Sequence, residues 1–226
     1  MHNVTLPEDL RRRIAEHRGC AHVFATIVPE KTAHLIVDMQ NHFVAPDGLS
    51  RVDKAAGIVG NINRLAAAVR ARGGLNVWIR VTLAQDGFGA WQSYTERFVP
   101  PEKRAEVRAA LMPGSKGHAF WPELDIRDAD LISDKSRFSA FIQGASDIEA
   151  ELGGRGIDTL LVTGTLTNVC CESTARDAAM RDFRVIMVED ACAARTDEDH
   201  LAGLRTVAQV FGDVRPTDEV IALLES

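Results

Sequence analysis

Short apolar runs alternate with segments of helical period along most of this chain. Ala33 to Val37 (AHLIV) lacks the polar alternation of a half-exposed strand, so it predicts a strand buried on both faces. Ile58, Ile62, Leu65 and Val69 recur at helical spacing and predict a helix, which Gly73-Gly74 ends. Val77 to Val81 (VWIRV) predicts the next strand. Regularity is lost between residues 82 and 121, where Gly87, Gly89, Pro100, Pro101, Pro113, Gly114 and Gly117 crowd, and one short helix around Glu102 to Ala110 is expected there. An excursion of that length is expected to form part of a pocket. Alternation then resumes. Strands are predicted at Ala129 to Ser133, Thr159 to Thr163 and Arg184 to Val188, and helices at Asp147 to Leu152, Asn168 to Arg181, Asp197 to Val210 and Thr217 to Leu224.

Strands separated by helices need crossover connections, and those are nearly always right-handed. The expected fold class is therefore α/β: a three-layer α-β-α sandwich, Rossmann-like, around a mostly parallel sheet of about six strands. One domain is expected over residues 1–226, with residues 1–30 as an N-terminal extension. Within that extension Arg11-Arg12-Arg13 reads as the solvated face of a helix.

Composition narrows the function classes. The 226 residues are 46% hydrophobic and 26% charged, as in ordinary globular proteins, and the formal net charge of -6 argues against a sequence-independent nucleic-acid binder. No apolar run is long enough to span a bilayer and no cleavable leader is recognisable, so no membrane partner and a cytoplasmic location are expected. Cys20, Cys170, Cys171 and Cys192 match no zinc spacing, and the seven histidines form no helical pair, so neither metal nor cofactor is expected.

Open parallel sheets bind ligands beyond the carboxyl ends of their strands. Asp38 follows the first predicted strand, Asp134-Lys135 follows Ala129 to Ser133, and Gly164-Thr165-Leu166-Thr167-Asn168-Val169-Cys170 follows Thr159 to Thr163. Each alone is unremarkable: strand-end charges are usually solvated and lone cysteines usually packed. Together they bring a carboxylate, an ammonium and a thiol to one edge. With Thr167 or Asn168 as N-cap, Cys170 would sit in the first turn of a helix, where the helix dipole and Lys135 would lower its pKa. Asp38 would take the thiol proton, and N–H groups of the Gly164-to-Cys170 turn would face an oxyanion. Neighbouring helical residues point about 100° apart, so Cys171, which shares a face with Ala175 and Ala178, is assigned to packing. Asn41, Phe43, Trp91 and Trp121 are the expected substrate contacts. Trp78, mid-strand, belongs to the core. His42 and His118 are weighed as structural more than pocket-lining.

The segments AHLIVDMQNHF (33–43), GSKGHAFWPEL (114–124), DKSRFSAF (134–141) and GTLTNVCCESTARDA (164–178) resemble the isochorismatase-like cysteine hydrolases. The resemblance implies an isochorismatase-like hydrolase fold, a catalytic triad at Asp38, Lys135 and Cys170, an oxyanion hole from the N–H groups of Leu166 and Cys170, and a cis peptide at Thr165–Leu166. It also implies a homodimer or homotetramer. Nicotinamidase-type members carry an Asp-x-His metal motif after the second strand. No histidine stands between Arg80 and Asp86 here, which speaks against zinc and against nicotinamide. True isochorismatases lack the nucleophilic cysteine. The Asn-Val-Cys-x-Glu-Ser-Thr string is most similar to ureidoacrylate and related ureide amidohydrolases. The expected activity is hydrolysis of a small linear amide or ureide through a thioester, with ureidoacrylate-, biuret- or triuret-, carbamoyl- and maleamate-like substrates all open. Non-covalent ether or ester hydrolysis and a non-catalytic thiol redox or binding role are the alternatives.

Overall fold

The structure, a computed structural model, describes residues 1–83 and 91–226; residues 84–90 of the irregular excursion lie outside the described residues. Six strands form one sheet: β1 Thr32–Val37, β2 Leu75–Val81, β3 Leu131–Lys135, β4 Thr159–Thr165, β5 Arg184–Ala193 and β6 Asp213–Arg215. All are parallel, in the order β3-β2-β1-β4-β5-β6. The described helices are α1 Glu8–Arg18, α2 Asn41–Val44, α3 Val59–Ala71, α4 Gln92–Arg97, α5 Arg104–Ala110, α6 Ile148–Gly154, α7 Glu172–Ala179, α8 Asp197–Thr206 and α9 Thr217–Glu225.

Alternate residues of each central strand feed two separate cores, because side chains of a strand point to opposite faces. Leu35, Val37, Ile79, Val162 and Met187 meet Leu152 of α6, Ala175 and Ala178 of α7 and Leu204 of α8. Ile36, Trp78, Leu161 and Ile186 meet Ile62, Leu65 and Val69 of α3 and Val220 of α9. That is the three-layer arrangement expected, with Trp78 fully buried and its indole N–H donated to Asp130 Oδ2 at 2.9 Å. Among the described residues no helix is long and apolar enough to cross a membrane.

Several element boundaries differ from the sequence reading. β3 starts two residues later than predicted, because Asp130 closes the preceding turn by accepting from the Arg127 N–H, from Arg70 and from Trp78. β5 runs past its apolar stretch to Ala193, carrying the polar pair Glu189-Asp190 into the sheet. Asp190 accepts from Asn61 and Thr217, and Glu189 from Arg11. Arg11 is thus no member of a solvated face, whereas Arg12 and Arg13 are exposed. Helix α4 and the three-residue β6 were not foreseen. The predicted helix 168–181 divides into a π-helical turn, Thr167–Cys171, followed by α7.

The strand order reverses between β1 and β4, and Gly164 holds them together there. It pairs with Val37 at φ 108°, and a Cβ on it would lie 2.1 Å from the Val37 carbonyl oxygen. Gly164→Ala is therefore expected to destabilise the fold by roughly 3 kcal/mol, lowering the thermal midpoint by about 6–12 °C in a calorimetric scan.

Candidate active site

Neighbouring strands on either side of an order reversal splay their following loops apart and open a crevice. Asp38 leaves the end of β1 with φ 51°, a left-handed conformation uncommon outside glycine, and Thr165 Oγ1 fixes it there by donating to the Asp38 carbonyl at 2.9 Å. β4 runs out through the cis peptide Thr165–Leu166 into the π-helical turn, which delivers Cys170. Lys135, the last residue of β3, reaches across from the sheet edge and is 1% exposed. Its Nζ donates to Asp38 Oδ2 at 2.8 Å and to the Arg137 carbonyl at 3.0 Å. An ammonium has three donors; two are used here, and Cys170 lines the same cavity as Lys135 and Asp38 and lies near enough to be influenced by both. Asp38 Oδ1 is buried and has no hydrogen-bond partner among the described residues.

The electrostatics correct the sequence reading in one respect. Burial pushes the Cys170 thiol well above its ordinary value; the Lys135 ammonium opposes this and the Asp38 carboxylate reinforces it. At 5% exposure desolvation prevails over the ammonium, so the resting sulfur is a protonated thiol. Lys135 is held above its usual range: burial acts to lower it, and the neighbouring Asp38 carboxylate works against that. Nor do Thr167 and Asn168 cap the turn. The Thr167 hydroxyl pairs with His200 Nδ1 at 2.8 Å, and Asn168 Nδ2 donates to Asp199 at 3.4 Å, so both tie the turn to α8. Cys171 points away from the crevice, fully buried, with its sulfur 3.7 Å from the Thr163 carbonyl.

Above the thiol lies a cavity of about 290 Å³. Phe43 and Trp91 line it as expected, together with Tyr94 and Phe138. Trp91 stacks on Tyr94 at 4.5 Å and meets Phe138 edge-on at 4.8 Å, which makes one wall a rigid aromatic cluster. Leu166 also borders the cavity. Asn41 and Trp121, also expected as substrate contacts, do not line it. Asn41 donates to the Lys116 carbonyl at 2.9 Å, and the backbone N–H of Trp121 donates to the Met39 carbonyl at 2.9 Å while its ring packs against the α3-side core. The antiparallel bridge between Gln40 and Phe120 turns that segment toward the opposite face of the sheet.

Two further polar residues line the cavity: His42, weighed in the sequence as structural more than pocket-lining, and Arg195, which the sequence reading did not name. His42 is 3% exposed, its Nδ1 has no partner among the described residues, and burial followed by the charge of Arg195 pushes its pKa down to about 4. The imidazole is neutral at pH 7. Arg195 is exposed and makes no ion pair or hydrogen bond among the described residues. The signal for Arg195 was available: it stands two residues beyond the true end of β5, where strand-end logic would have placed it had the strand been followed past Glu189.

An isochorismatase domain model matches residues 32–219. The chain belongs to the isochorismatase family. Among solved members of this hydrolase fold, a cysteine hydrolase from Pseudomonas syringae pv. phaseolicola superposes with a TM-score of 0.80 at 32% identity, covering 90% of this chain and 97% of that one. N-carbamoylsarcosine amidase from Thermoplasma acidophilum superposes with a TM-score of 0.66 at 28% identity, over 83% and 97%. Ureidoacrylate amidohydrolase of Acinetobacter baylyi is 29% identical over 208 residues, 86% of this chain and 84% of the relative.

Proposed function

We propose that this isochorismatase-family hydrolase is a cysteine-dependent amidohydrolase, acting on a small linear amide or ureide that carries an anionic group. The observation that carries the reading is the buried trio. A protonated thiol needs a base, and the unpartnered Asp38 Oδ1 beside it supplies one, while Lys135 occupies Oδ2. Attack of the Cys170 sulfur on the substrate carbonyl would pass its proton to Asp38. The N–H groups of Leu166 and Cys170 would receive the oxyanion, where one donor is worth roughly 3–4 kcal/mol. Collapse expels the amine or ammonia, which takes the proton back from Asp38 and leaves a thioester. Water, deprotonated by Asp38, then frees the acid and returns the proton to sulfur. Similarity to a ureidoacrylate amidohydrolase and to N-carbamoylsarcosine amidase supports the C–N bond as the target.

The cavity sets the substrate's size and charge. About 290 Å³ suits a small molecule, the aromatic wall suits a planar amide or unsaturated chain, and the unpaired guanidinium of Arg195 suits a carboxylate. This favours ureidoacrylate-, carbamoyl amino acid- and maleamate-like compounds over uncharged biuret-like ones. A panel of such amides, assayed for ammonia release and quenched for intact mass, tests the reading. The expected result is turnover of a carboxylate-bearing amide with an acyl adduct on Cys170; turnover insensitive to thiol alkylation would overturn it. Arg195→Ala is expected to raise KM for the anionic substrate about 10- to 100-fold with kcat within a few-fold, measured by steady-state kinetics.

A further inference from the structure

A second histidine-bearing segment is built into the back of the site. The side chain of His2 is 2% exposed although it is the second residue of the chain. Its Nε2 accepts the Ala194 N–H at 2.9 Å, and its Nδ1 lies 2.6 Å from Asp197 Oδ1. Ala194 and Asp197 flank Arg195 and Thr196, the turn between β5 and α8, so one imidazole ring bridges both ends of the turn that carries the cavity's guanidinium. The ring also stacks on His200 at 4.1 Å and 9°, and His200 in turn bonds Thr167, the first residue of the turn that carries Cys170.

We propose that His2 is a positioning residue, which aims Arg195 at the substrate's anionic group by clamping the 194–197 turn. The proposal rests on the reading of Arg195 as the anion contact. Both hydrogen bonds require one state of the ring: Nδ1 carries the proton and donates to Asp197, and Nε2 keeps its lone pair for the Ala194 N–H. Removing the ring leaves the N–H of a fully buried residue without its acceptor, which costs more than an exposed bond would. The groups that face His2 are Asp197, which favours its protonated form, and Lys54 and the chain's amino terminus, which oppose it, with the His200 ring alongside. Burial is the largest influence and the net displacement is downward from 6.5. The clamp is therefore complete above pH 6.5 and is lost as the pH falls below it, when Nε2 becomes a donor opposed to another donor.

The test needs no substrate. Alkylation of Cys170 by iodoacetate, an anion, and by iodoacetamide, its uncharged analogue, is followed by tandem mass spectrometry of the peptide that holds both Cys170 and Cys171, whose fragment ions place the adduct on one sulfur or the other. The ratio of the two rates reads anion recognition beside the thiol and cancels thiol reactivity. Arg195→Ala is expected to lower the ratio about tenfold and His2→Ala about fivefold, each read against that variant's own iodoacetamide rate. His2→Gln, whose side-chain oxygen replaces the Nε2 acceptor, is expected to retain most of the ratio. The wild-type ratio should hold constant above pH 6.5 and fall on acidification below it, and that of His2→Gln should stay flat over the same range. A lowered ratio in Arg195→Ala with a wild-type ratio in His2→Ala overturns the positioning role alone. A wild-type ratio in Arg195→Ala overturns the anion reading and the positioning role with it.

Discussion

Turnover of the substrate found by the amide panel is expected to fall about 10⁴-fold or more, to background, when Cys170 is replaced by alanine. In the proposed mechanism the sulfur is the attacking atom, and neither Asp38 nor Lys135, which share a hydrogen bond, would substitute for it. The fold should be unaffected to within about 1 kcal/mol. The side chain is small, and its sulfur borders the cavity, so the space left by alanine opens onto an existing one. Cys171→Ala provides the opposite signature. It empties space in the core formed with Ala175 and Ala178, so it should cost about 1 kcal/mol in a denaturant titration while leaving kcat within about threefold. A full loss of turnover in Cys171→Ala with retention in Cys170→Ala would exchange the two roles and end the mechanism as written.

Lys135→Met should have the next largest effect, and it acts on stability as well as rate. The ammonium and the Asp38 carboxylate are both about 1% exposed, so each is the other's main compensation for lost solvation. Breaking such a pair by removing one partner typically costs 3–5 kcal/mol, because the remaining charge stays buried without its counter-ion. Methionine conserves most of the volume, which assigns the loss to charge and not to a cavity. Rate should fall about 10³-fold or more, since the ammonium also steadies the thiolate as it forms. Adding Asp38→Asn separates the two effects. The double variant should regain part of the stability in chemical denaturation, because no uncompensated charge remains, and should stay inactive. A double variant less stable than Lys135→Met alone would show that the pair is not the main stabilising contact.

Much of this architecture is written in local pattern. Strand cores such as Ala33 to Val37 and Val77 to Val81 are legible because a sheet covered on both faces demands unbroken apolar runs. Asp38, Lys135 and Cys170 are legible because parallel strands must end at a common edge. Residues that depend on tertiary pairing are not. β5 continues through Glu189 and Asp190 with Arg11, Asn61 and Thr217 donating hydrogen bonds to those carboxylates, and no window around residue 189 contains that information. The thiol's upward displacement was missed for a related reason. Proximity to Lys135 follows from sequence order, but the depth at which the trio lies follows from what covers it. Asn41 and Trp121 resemble pocket residues in composition, and it is the Gln40–Phe120 bridge, joining segments 80 positions apart, that removes them.

The reversal of strand order between β1 and β4 has a consequence for how the enzyme could change its diet. The trio hangs from β1, β3 and the loop after β4, whereas Trp91 and Tyr94 of the aromatic panel lie at α4 and Arg195 stands on the turn after β5, so the groups that meet the substrate's outer parts come from other segments. Exchanging those outer side chains would redirect the protein to differently charged or shaped amides while the bond-breaking apparatus stayed intact. Selection for a different substrate would therefore be felt first at positions such as Arg195 and Trp91.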